Sequence, residues 1–464
     1  MAHIFIAGAH KSSGKTSVSV GLNAALSKSG MTVQPFKKGP DYIDPLWLGR
    51  AAGNACYNLD FFTQSQGEIL ATFARNSARA DLSLIEGNKG LFDGVDVEGA
   101  DSNAALAKML SAPVVLVIDS SGMTRGIAPL IRGYLGFDPD VNIRGVILNK
   151  VGGTRHEGKL RAALERYTEI EVLGAIGRNS ALEIPERHLG LIPANEANTT
   201  DSVIARLAEA VTSEVDLDRI VEIANTAPAH IKKSVPLADP LQPVADIRIA
   251  IARDAAFSFY YPDDLEAFTL AGAELVPFDT LNDAHLPDVD GLFIGGGFPE
   301  THLDALSANQ SLLMDIRQTL MGGMPAYAEC GGLMYLAQRI RWHDETFAMT
   351  GVVPGDIVVG DRPQGRGYVV LEETGKCLWP SAPHGRSGSP TDIAAHEFHY
   401  AGLENLSNRV DYAYRVKRGH GIDGNHDGLL LGNLLANFSH HRNTAANPWV
   451  SRFVSFVRER STSA

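Results

Sequence analysis

The chain begins with Ile4-Phe5-Ile6-Ala7-Gly8-Ala9-His10-Lys11-Ser12-Ser13-Gly14-Lys15-Thr16, and this stretch decides the fold of its first half. The apolar residues predict a buried strand, and the glycine-containing turn after them leads into a helix-compatible stretch. Backbone N–H groups at such a turn bind phosphate oxygens, Lys15 adds a positive charge, and Thr16 can ligate magnesium. Ala9 occupies the first glycine position of the strict GxxxxGK[ST] pattern. The strand before the turn nevertheless favours a nucleotide-binding loop over an ordinary surface turn.

Length, charge and cysteine content limit the class of protein. A chain of 464 residues is too long for one ordinary core and predicts two domains of roughly 200 residues, or three smaller ones. The formal net charge of −13 argues against nucleic acid or an anionic membrane as the main partner. Three distant cysteines, Cys56, Cys330 and Cys377, form neither a disulfide framework nor a CxxC metal site. With no signal peptide or membrane-spanning apolar run in the sequence, we expect a cytoplasmic protein.

The first half alternates short apolar runs with helical patterns, which predicts a parallel sheet covered on both faces. The apolar runs lie at 4–8, 82–86, 113–119, 144–150 and 172–177. Helical patterns at 201–211 and 216–224 follow. The next stretch, 226–244, contains four prolines and shows neither the helical nor the strand periodicity of apolar residues. We therefore predict an α/β domain over 1–226 and a linker over 227–245.

The alternation restarts after the linker and predicts a second α/β domain over 246–464. Its predicted strands lie at 246–253, 274–278 and 290–294, and its predicted helices at 262–271 and 310–321. Next, Pro325-Ala326-Tyr327-Ala328-Glu329-Cys330-Gly331-Gly332 carries an apolar run into a thiol followed by two glycines, which is the layout of a nucleophile elbow. An inert buried cysteine is the alternative. Residues from about 351 onward predict a more β-rich end.

Acidic residues near the phosphate loop could complete a magnesium site with Thr16. The segment Lys37-Lys38-Gly39-Pro40-Asp41-Tyr42-Ile43-Asp44-Pro45 packs two bases and two acids around a turn, and Glu86 ends an apolar strand. Ligands bind at the carboxyl edge of parallel sheets, so Glu86 or Asp41 is a candidate magnesium ligand. For any one of them, a solvated turn charge is the alternative. Asp93 is a weaker candidate because Asp-Gly also marks ordinary turns.

A cysteine nucleophile needs a base, usually a histidine, within hydrogen-bond reach. The apolar stretch at 428–438 ends in Ser439-His440-His441-Arg442, which would place imidazoles at the end of a strand. The residues alone do not choose between these two histidines. His396 and His399 are also available, but their spacing is not HExxH, so a zinc-protease site is excluded.

Taken as a whole, the chain resembles the cobyrinic acid a,c-diamide synthases and their relatives, which are ATP- and glutamine-dependent amidases of tetrapyrrole carboxylates. The motifs that carry the resemblance are the phosphate loop at 8–16, the segment 39–45, Asn58-Leu59-Asp60, Glu86-Gly87 with Gly90-Leu91-Phe92-Asp93-Gly94, Gly295-Gly296-Gly297-Phe298-Pro299-Glu300, Ala328-Glu329-Cys330-Gly331-Gly332 and His396-Glu397-Phe398-His399-Tyr400. The segment 39–45 is highly diagnostic. The resemblance implies an N-terminal P-loop ATP domain with a parallel sheet, like dethiobiotin synthetase, and a C-terminal domain like the class I glutamine amidotransferases.

The resemblance also implies roles for single residues of the second domain. Cys330 would be the glutaminase nucleophile and His440 its base, while Gly297 and Gly331 would lie near the oxyanion. A glutamate two residues beyond the histidine would complete the usual triad, but Arg442 stands there. The resemblance therefore implies a Cys–His dyad.

For the first domain, the resemblance implies three sets of residues. The ATP-binding residues would be Gly14, Lys15, Thr16 and Asn149, the last at the adenine base. The magnesium ligands would be Thr16, Asp41 and Glu86. Tyr42, Asp44 and Asp93 would lie near the substrate.

The implied reaction is ATP- and Mg²⁺-dependent amidation of the a- and c-side-chain carboxylates of a cobyrinate-type tetrapyrrole, through an acyl phosphate, with ammonia from glutamine. Fusion of two domains would help ammonia to reach the first site before it is protonated. The implied partners are glutamine and an anionic tetrapyrrole, and a homodimer is left open.

Two departures leave sirohaem or a sirohydrochlorin open as the substrate. Corrinoid-acting members often carry a histidine where this chain has Pro45-Leu46-Trp47-Leu48, and Lys38 replaces a small apolar residue. Two alternatives belong to other classes of protein. One is a non-catalytic P-loop regulator, which needs no thiol, and the other is a plain cysteine hydrolase, which needs no ATP.

Overall fold

The computed structural model describes residues 1–179, 182, 184–187, 190–196, 199–228, 243–380, 392–406 and 410–462. Contacts within the chain divide it into two compact units, Met1–Ala238 and Asp239–Ala464. The linker predicted at 227–245 falls mostly on 229–242, which lie outside the described residues.

The first unit is built around a parallel sheet. Its elements are β1 (Ala2–Gly8), α1 (Lys15–Lys28), β2 (Val33–Lys38), α2 (Ile43–Ala52), β3 (Tyr57–Leu59), α3 (Gln66–Ser77), β4 (Leu82–Gly90), α4 (Asn103–Met109), β5 (Val114–Asp119), α5 (Ile127–Phe137), β6 (Ile143–Val151), α6 (Thr154–Tyr167), β7 (Glu171–Gly177), β8 (Glu186–Arg187), β9 (Gly190–Leu191), α7 (Thr200–Glu214) and α8 (Leu217–Asn225). Seven strands form one sheet in the order β3-β2-β4-β1-β5-β6-β7, and neighbouring strands run parallel. The five strands predicted from apolar runs and the two predicted helices are confirmed.

Both faces of this sheet are covered, as the unalternated apolar runs predict. Ile4 and Ile6 of β1 belong to one hydrophobic cluster, and Phe5 and Ala7 belong to another. Successive side chains of a strand point to opposite faces, so the two clusters lie on the two sides of the sheet.

Strands β2 and β3 are absent from the sequence-based prediction. The apolar pattern of β2 is interrupted by Pro35 and ends in Lys37 and Lys38, although all six of its residues are buried. Strand β3 has only three residues. The two buried lysines make the strand look polar, because a local pattern does not show that Lys37 pairs with Glu86, which lies 49 residues away.

The second unit contains a larger mixed sheet. Its elements are β10 (Ile247–Ala252), β11 (Phe257–Phe259), α9 (Pro262–Leu270), β12 (Ala273–Phe278), β13 (Gly291–Ile294), β14 (Gly296–Gly297), a 3-10 helix (Pro299–His302), α10 (Leu303–Ala308), α11 (Gln310–Met321), β15 (Ala326–Glu329), α12 (Gly331–Leu336), β16 (Arg339–Trp342), β17 (Glu345–Ala348), β18 (Asp356–Val359), β19 (Gly365–Glu373), β20 (Ile393–His399), β21 (Ala401–Glu404), β22 (Asp411–Arg418), β23 (His426–Leu431), β24 (Leu434–Asn437) and α13 (Trp449–Ser461). Nine strands form the sheet β12-β10-β13-β15-β24-β23-β22-β19-β20. In the described ranges, no helix has both the length and the apolar character needed to cross a bilayer.

The sheet changes from parallel to antiparallel pairing at β24. Strands β12 to β24 in the sheet order pair in parallel, and those from β24 to β20 pair antiparallel. This agrees with the β-rich end expected after residue 351. The single apolar stretch at 428–438 is in fact a hairpin, because Gly432 adopts a φ of 57° between β23 and β24. Strand β24 still delivers its chain end directly to Ser439 and His440.

Packing of α1 on α7 depends on Gly21. A Cβ atom at this position would lie 2.5 Å from Val211 Cγ2 and 2.8 Å from the Leu207 carbonyl oxygen. We expect Gly21→Ala to lower the free energy of unfolding by about 1–3 kcal/mol through overpacking. Urea denaturation measures this.

The matched control is Gly133→Ala, which places a methyl group on exposed helix α5 with no atom within 4 Å. This change should stabilise the protein by roughly 0.5–1 kcal/mol, because glycine is unfavourable within a helix. Equal unfolding midpoints for the two variants would contradict the packing account.

Candidate functional site

The phosphate loop lies between β1 and α1 and is held by contacts within the first unit. Gly14 adopts a φ of 82°, and a Cβ atom there would lie 2.0 Å from Asn149 Nδ2. Asn149 Nδ2 donates a hydrogen bond to the Ser13 carbonyl oxygen at 3.0 Å. Ser13 Oγ in turn donates to the His10 carbonyl oxygen at 2.7 Å. Glycine is therefore required at position 14 both for the backbone conformation and for the approach of Asn149.

A shallow cleft that is open to solvent lies beside this loop. Its lining includes Gly14, Val18, Asn149, Ile176, Arg178 and Leu207. Asn149 Oδ1 accepts a hydrogen bond from the Lys150 amide at 2.9 Å, so both ends of this side chain already contact protein. The structure thus places Asn149 in the wall of this cleft and also gives it a role in holding the loop.

Strand register brings a buried cluster of charges to the carboxyl edge of the first sheet. Lys37 on β2 pairs in register with Glu86 on β4. Lys37 Nζ lies 2.7 Å from Glu86 Oε1 and 2.5 Å from Asp44 Oδ2. Burial opposes protonation of Lys37, but the carboxylates of Asp44, Glu86 and Asp41 raise its pKa well above the usual range. The strand-end lysine is therefore held as a cation among acids.

Thr16 joins this cluster through two of its acids. Thr16 Oγ1 donates to Glu86 Oε1 at 3.0 Å and lies 3.4 Å from Asp44 Oδ2. Asp41 Oδ1 accepts instead from the amides of Ile43 and Asp44, at the start of α2. Burial and the charge of Asp44 raise the pKa of Asp41 to about 6. The geometry thus brings Thr16 closer to Asp44, which the resemblance puts near the substrate, than to Asp41.

The residues of the charge cluster suit a magnesium ion. Glu86 is fully buried, and its Oε2 atom has no hydrogen-bond partner among the described residues. Magnesium prefers one or two carboxylates together with phosphate oxygens and water. No group of three or more His, Cys, Asp or Glu side chains in the described ranges could hold a metal alone. A bound ion would therefore also need ligands from a nucleotide or water.

Two asparagines hold the turns around this cluster. Asn58 Nδ2 donates to the carbonyl oxygens of Gly39 and Asp41, both at 2.7 Å. Asn103 Nδ2 donates to the Asn88 carbonyl oxygen at 2.5 Å and to the Gly90 carbonyl oxygen at 2.6 Å. Asn58 lies in the Asn58-Leu59-Asp60 motif. Sequence reasoning missed Asn103, which lies 13 and 15 residues from the two carbonyl groups that it bonds.

The other two substrate candidates lie at turns of the same unit. Asp93 Oδ2 accepts a hydrogen bond from the Gly90 amide at 2.9 Å, which is the ordinary turn role that the Asp-Gly pair also allows. Tyr42 immediately precedes α2 and is largely buried.

In the second unit, Cys330 lies at a sharp turn between β15 and α12. Its backbone has φ 49° and ψ −104°, outside the conformation of either element, and its side chain is 6% exposed. A Cβ atom on Gly331 would lie 3.1 Å from the Gly297 nitrogen. The turn therefore has the elbow form, and the two glycines predicted near the oxyanion lie side by side.

The structure distinguishes His440 from His441 as the partner of Cys330. Burial opposes protonation of His440, but the charge and hydrogen bond of the Cys330 thiolate, together with Glu329, raise its pKa to about 10. Burial instead lowers the pKa of His441 to about 4, and His441 Nδ1 lies 3.3 Å from Asn447 Nδ2. His440 is thus the histidine that interacts with the thiol.

Contacts on several sides fix the His440 ring. The His440 amide donates to the His396 carbonyl oxygen at 2.7 Å, and the two rings stack with centroids 4.9 Å apart. A Cβ atom on Gly296 would lie 2.5 Å from His440 Cε1, so this glycine leaves room for the imidazole.

An acid that sequence reasoning missed lies against this ring. Glu329 Oε2 is 3.5 Å from His440 Nδ1, and both side chains are nearly fully buried. Arg442, at the position of the usual third acid, bonds Asp263 at 2.8 Å and covers the Tyr261 ring. The usual third acid follows the histidine in sequence, whereas Glu329 immediately precedes Cys330.

Comparison with known proteins identifies both units. Residues 4–192 match the model of the CobQ/CobB/MinD/ParA nucleotide binding domain, and residues 248–448 match that of the CobB/CobQ-like glutamine amidotransferase domain. A cobyrinate a,c-diamide synthase of Magnetococcus marinus is 46% identical over 99% of this chain and 98% of its own. One from Archaeoglobus fulgidus is 41% identical over 97% and 96%. A solved glutamine amidotransferase aligns with 45% of this chain and 98% of its own at 15% identity, but its TM-score of 0.33 supports no argument.

The contact between Cys330 and His440 predicts selective thiol chemistry. The charge and hydrogen bond of Cys330 raise the pKa of His440, so this thiol lies beside a base that can take its proton. Burial raises the thiol pKa of Cys56 and Cys377, so both remain protonated at neutral pH. We expect iodoacetamide at pH 7 to alkylate Cys330 first.

Peptide mass spectrometry measures the alkylation rate of each cysteine. The two other thiols serve as controls within the same chain. Alkylation of Cys377 before Cys330 would contradict the pairing of Cys330 with His440.

Proposed function

This chain belongs to the cobyrinate a,c-diamide synthase family, and from that premise we propose that it amidates the a- and c-side-chain carboxylates of cobyrinate. ATP would activate each carboxylate, and glutamine would supply the ammonia. The proposal is supported by the residues that each unit brings together for its half of the reaction. In the first unit, Thr16 contacts buried acids beside the phosphate loop, and in the second unit, Cys330 contacts His440 at the elbow turn.

The second unit would release ammonia from glutamine. The Cys330 thiolate attacks the side-chain amide carbon, and the C–N bond breaks as His440 gives its proton to the leaving ammonia. Water then hydrolyses the thioester to glutamate and restores the thiol. The amides near Gly297 and Gly331 would stabilise the oxyanion that forms at each addition.

The first unit would make the carboxylate reactive. A carboxylate is a poor acyl donor, so transfer of the γ-phosphoryl group of ATP to it gives an acyl phosphate and ADP, and ammonia then displaces phosphate. Lys15 and the loop amides would bind the phosphates. Thr16 and Glu86, with Asp44 or Asp41, would hold Mg²⁺, which when bound offsets the charge of the phosphates.

Cobyrinate is a better-supported substrate than sirohaem. The two relatives described above are named cobyrinate a,c-diamide synthases and align over nearly their whole length. Three of the residues that left sirohaem open are interior, since Trp47 and Leu48 are fully buried in the core and Lys38 is 5% exposed. Pro45 and Leu46 are half-buried. Trp47 Nε1 also donates a hydrogen bond to the Ile192 carbonyl oxygen at 2.8 Å. Packing and this bond therefore explain why tryptophan stands at position 47.

The substrate test incubates the protein with ATP, Mg²⁺ and glutamine and with either cobyrinate or sirohaem. Mass spectrometry should detect the diamide of cobyrinate. Amidation of sirohaem alone would overturn the substrate assignment, and hydrolysis of glutamine without any amidated tetrapyrrole would favour a plain hydrolase.

The same assay separates the two centres. Cys330→Ala should lose glutamine-dependent amidation and keep ammonia-dependent amidation, because only the thiol site is removed. Lys15→Ala should lower both by about 10²- to 10³-fold, because a charge that stabilises the phosphoryl transfer is gone. A folded Cys330→Ala protein that has lost both activities would contradict a two-site mechanism.

The magnesium ligands can be separated with ammonia as the nitrogen donor. Because Thr16 lies nearer Asp44 than Asp41, we expect Asp44→Asn to raise the Mg²⁺ concentration for half-maximal rate by about 10-fold or more. Asp41→Asn is the matched control, with a smaller expected shift. A larger shift for Asp41→Asn would restore the assignment of Asp41 as ligand.

A further inference from the structure

We propose that Glu329 is a positioning residue for the histidine of the thiol site, so that the site acts as Cys330–His440–Glu329 rather than as a dyad. The inference deepens the proposed function and rests on it, because it assigns a residue to the proposed glutamine hydrolysis. Glu329 would orient the imidazole and stabilise its protonated form.

Two hydrogen bonds to one oxygen orient the Glu329 carboxylate. Its Oε1 atom accepts hydrogen bonds from Tyr327 OH at 2.5 Å and from the His441 amide at 2.9 Å. Asn437 Nδ2 donates to Tyr327 OH at 2.9 Å and so fixes the hydroxyl that binds Glu329. This leaves Oε2 facing His440 Nδ1 at 3.5 Å. Rotation away from His440 would leave two buried donors without their acceptor, which is costly.

The local fold explains how adjacent residues reach one imidazole. Tyr327 and Glu329 share a face of β15, because side chains alternate along a strand. The turn at Cys330 breaks this alternation through its positive φ of 49°. Glu329 also pairs in register with Asn437 at the end of β24, and His440 follows three residues later. The acid and the thiol thus approach the histidine from the same turn.

Other charged groups around His440 do not offer this role. His396 stacks on the ring, but burial and its neighbours His440 and Arg442 lower its pKa well below the usual range. Arg442 is a cation and is paired with Asp263. Among the described side chains that face His440, Glu329 is therefore the one that offers a carboxylate.

This arrangement suits the proton transfers of the proposed reaction. A carboxylate at Nδ1 keeps that nitrogen protonated, which leaves Nε2 to exchange a proton with the thiol and with the leaving ammonia. Glu329 itself would neither gain nor lose a proton. Without it, the imidazolium that must form loses its stabilising charge and the ring loses a fixed tautomer.

The test compares glutamine hydrolysis by Glu329→Gln, Glu329→Asp and the wild type. We expect Glu329→Gln to lower kcat by about 10²-fold or more with a smaller change in KM, since a fixed general acid–base group is disturbed. Glu329→Asp should recover part of the rate because it keeps the charge. Ammonia-dependent amidation should be unchanged in both variants, and an equal loss of this activity would show a merely structural effect and overturn the proposal.

The control variant is Glu397→Gln, which removes another buried carboxylate of the same unit. Glu397 accepts hydrogen bonds from the amides of His420 and Gly421. Its replacement should leave the glutaminase rate near that of the wild type. A loss as large as that of Glu329→Gln, or a Glu329→Gln enzyme with normal kcat, would refute the role of Glu329.

A second readout does not depend on the proposed reaction. Iodoacetamide alkylation of Cys330 should need a higher pH in Glu329→Gln, because loss of the carboxylate weakens the imidazolium that stabilises the thiolate. An unchanged pH profile would overturn the proposal. If the wild type fails to hydrolyse glutamine, the proposed function fails, while the alkylation profile still decides whether Glu329 acts on His440.

Discussion

A parallel strand that ends in a turn of positive φ carries the reactive groups of both units. In the first unit the turn after β1 has φ 66° at Ser12 and 82° at Gly14, and in the second the turn after β15 has φ 49° at Cys330. Such a conformation costs a non-glycine residue about 1–3 kcal/mol and persists only where the surrounding fold imposes it. Glycines and close backbone packing around each turn supply that constraint. The chain can therefore present phosphate-binding amides in one unit and a buried thiol in the other.

Charges buried at these strand ends explain why partners come from distant parts of each unit. Lys37 requires Asp44 and Glu86, and His440 requires Cys330 and Glu329, because an unpaired buried charge is several kcal/mol less stable than in water. The same pairing prepares the chemistry. One cluster is a group of acids and bases beside a phosphate loop, and the other is a thiol beside a histidine and a carboxylate. Stability and reactivity thus rest on the same contacts.

The sequence was sufficient for the main elements and for the residues on local turns. Apolar runs predicted five strands of the first sheet, and the Cys-Gly-Gly turn predicted the elbow. The sequence did not indicate contacts between distant residues, because strand register and side-chain direction determine those contacts. The pairing of Lys37 with Glu86 spans 49 residues, so the buried lysines of β2 read locally as a polar end of a strand. The sequence did not indicate Glu329, because side chains alternate along a strand and Glu329 should point away from its neighbour Cys330. The turn at Cys330 brings both side chains to His440.

In the proposed mechanism, one chain uses its thiol site to supply nitrogen for an ATP-dependent amidation. The decisive experiment supplies glutamine labelled with ¹⁵N in its side-chain amide, together with ATP, Mg²⁺ and cobyrinate in ammonia-free buffer. The expected product is a cobyrinate diamide whose new amide nitrogens are both ¹⁵N, and no such product should form when ATP is left out. Two results would contradict this mechanism. One is a yield of labelled ammonia that does not depend on ATP, and the other is release of labelled ammonia with no ¹⁵N in the tetrapyrrole.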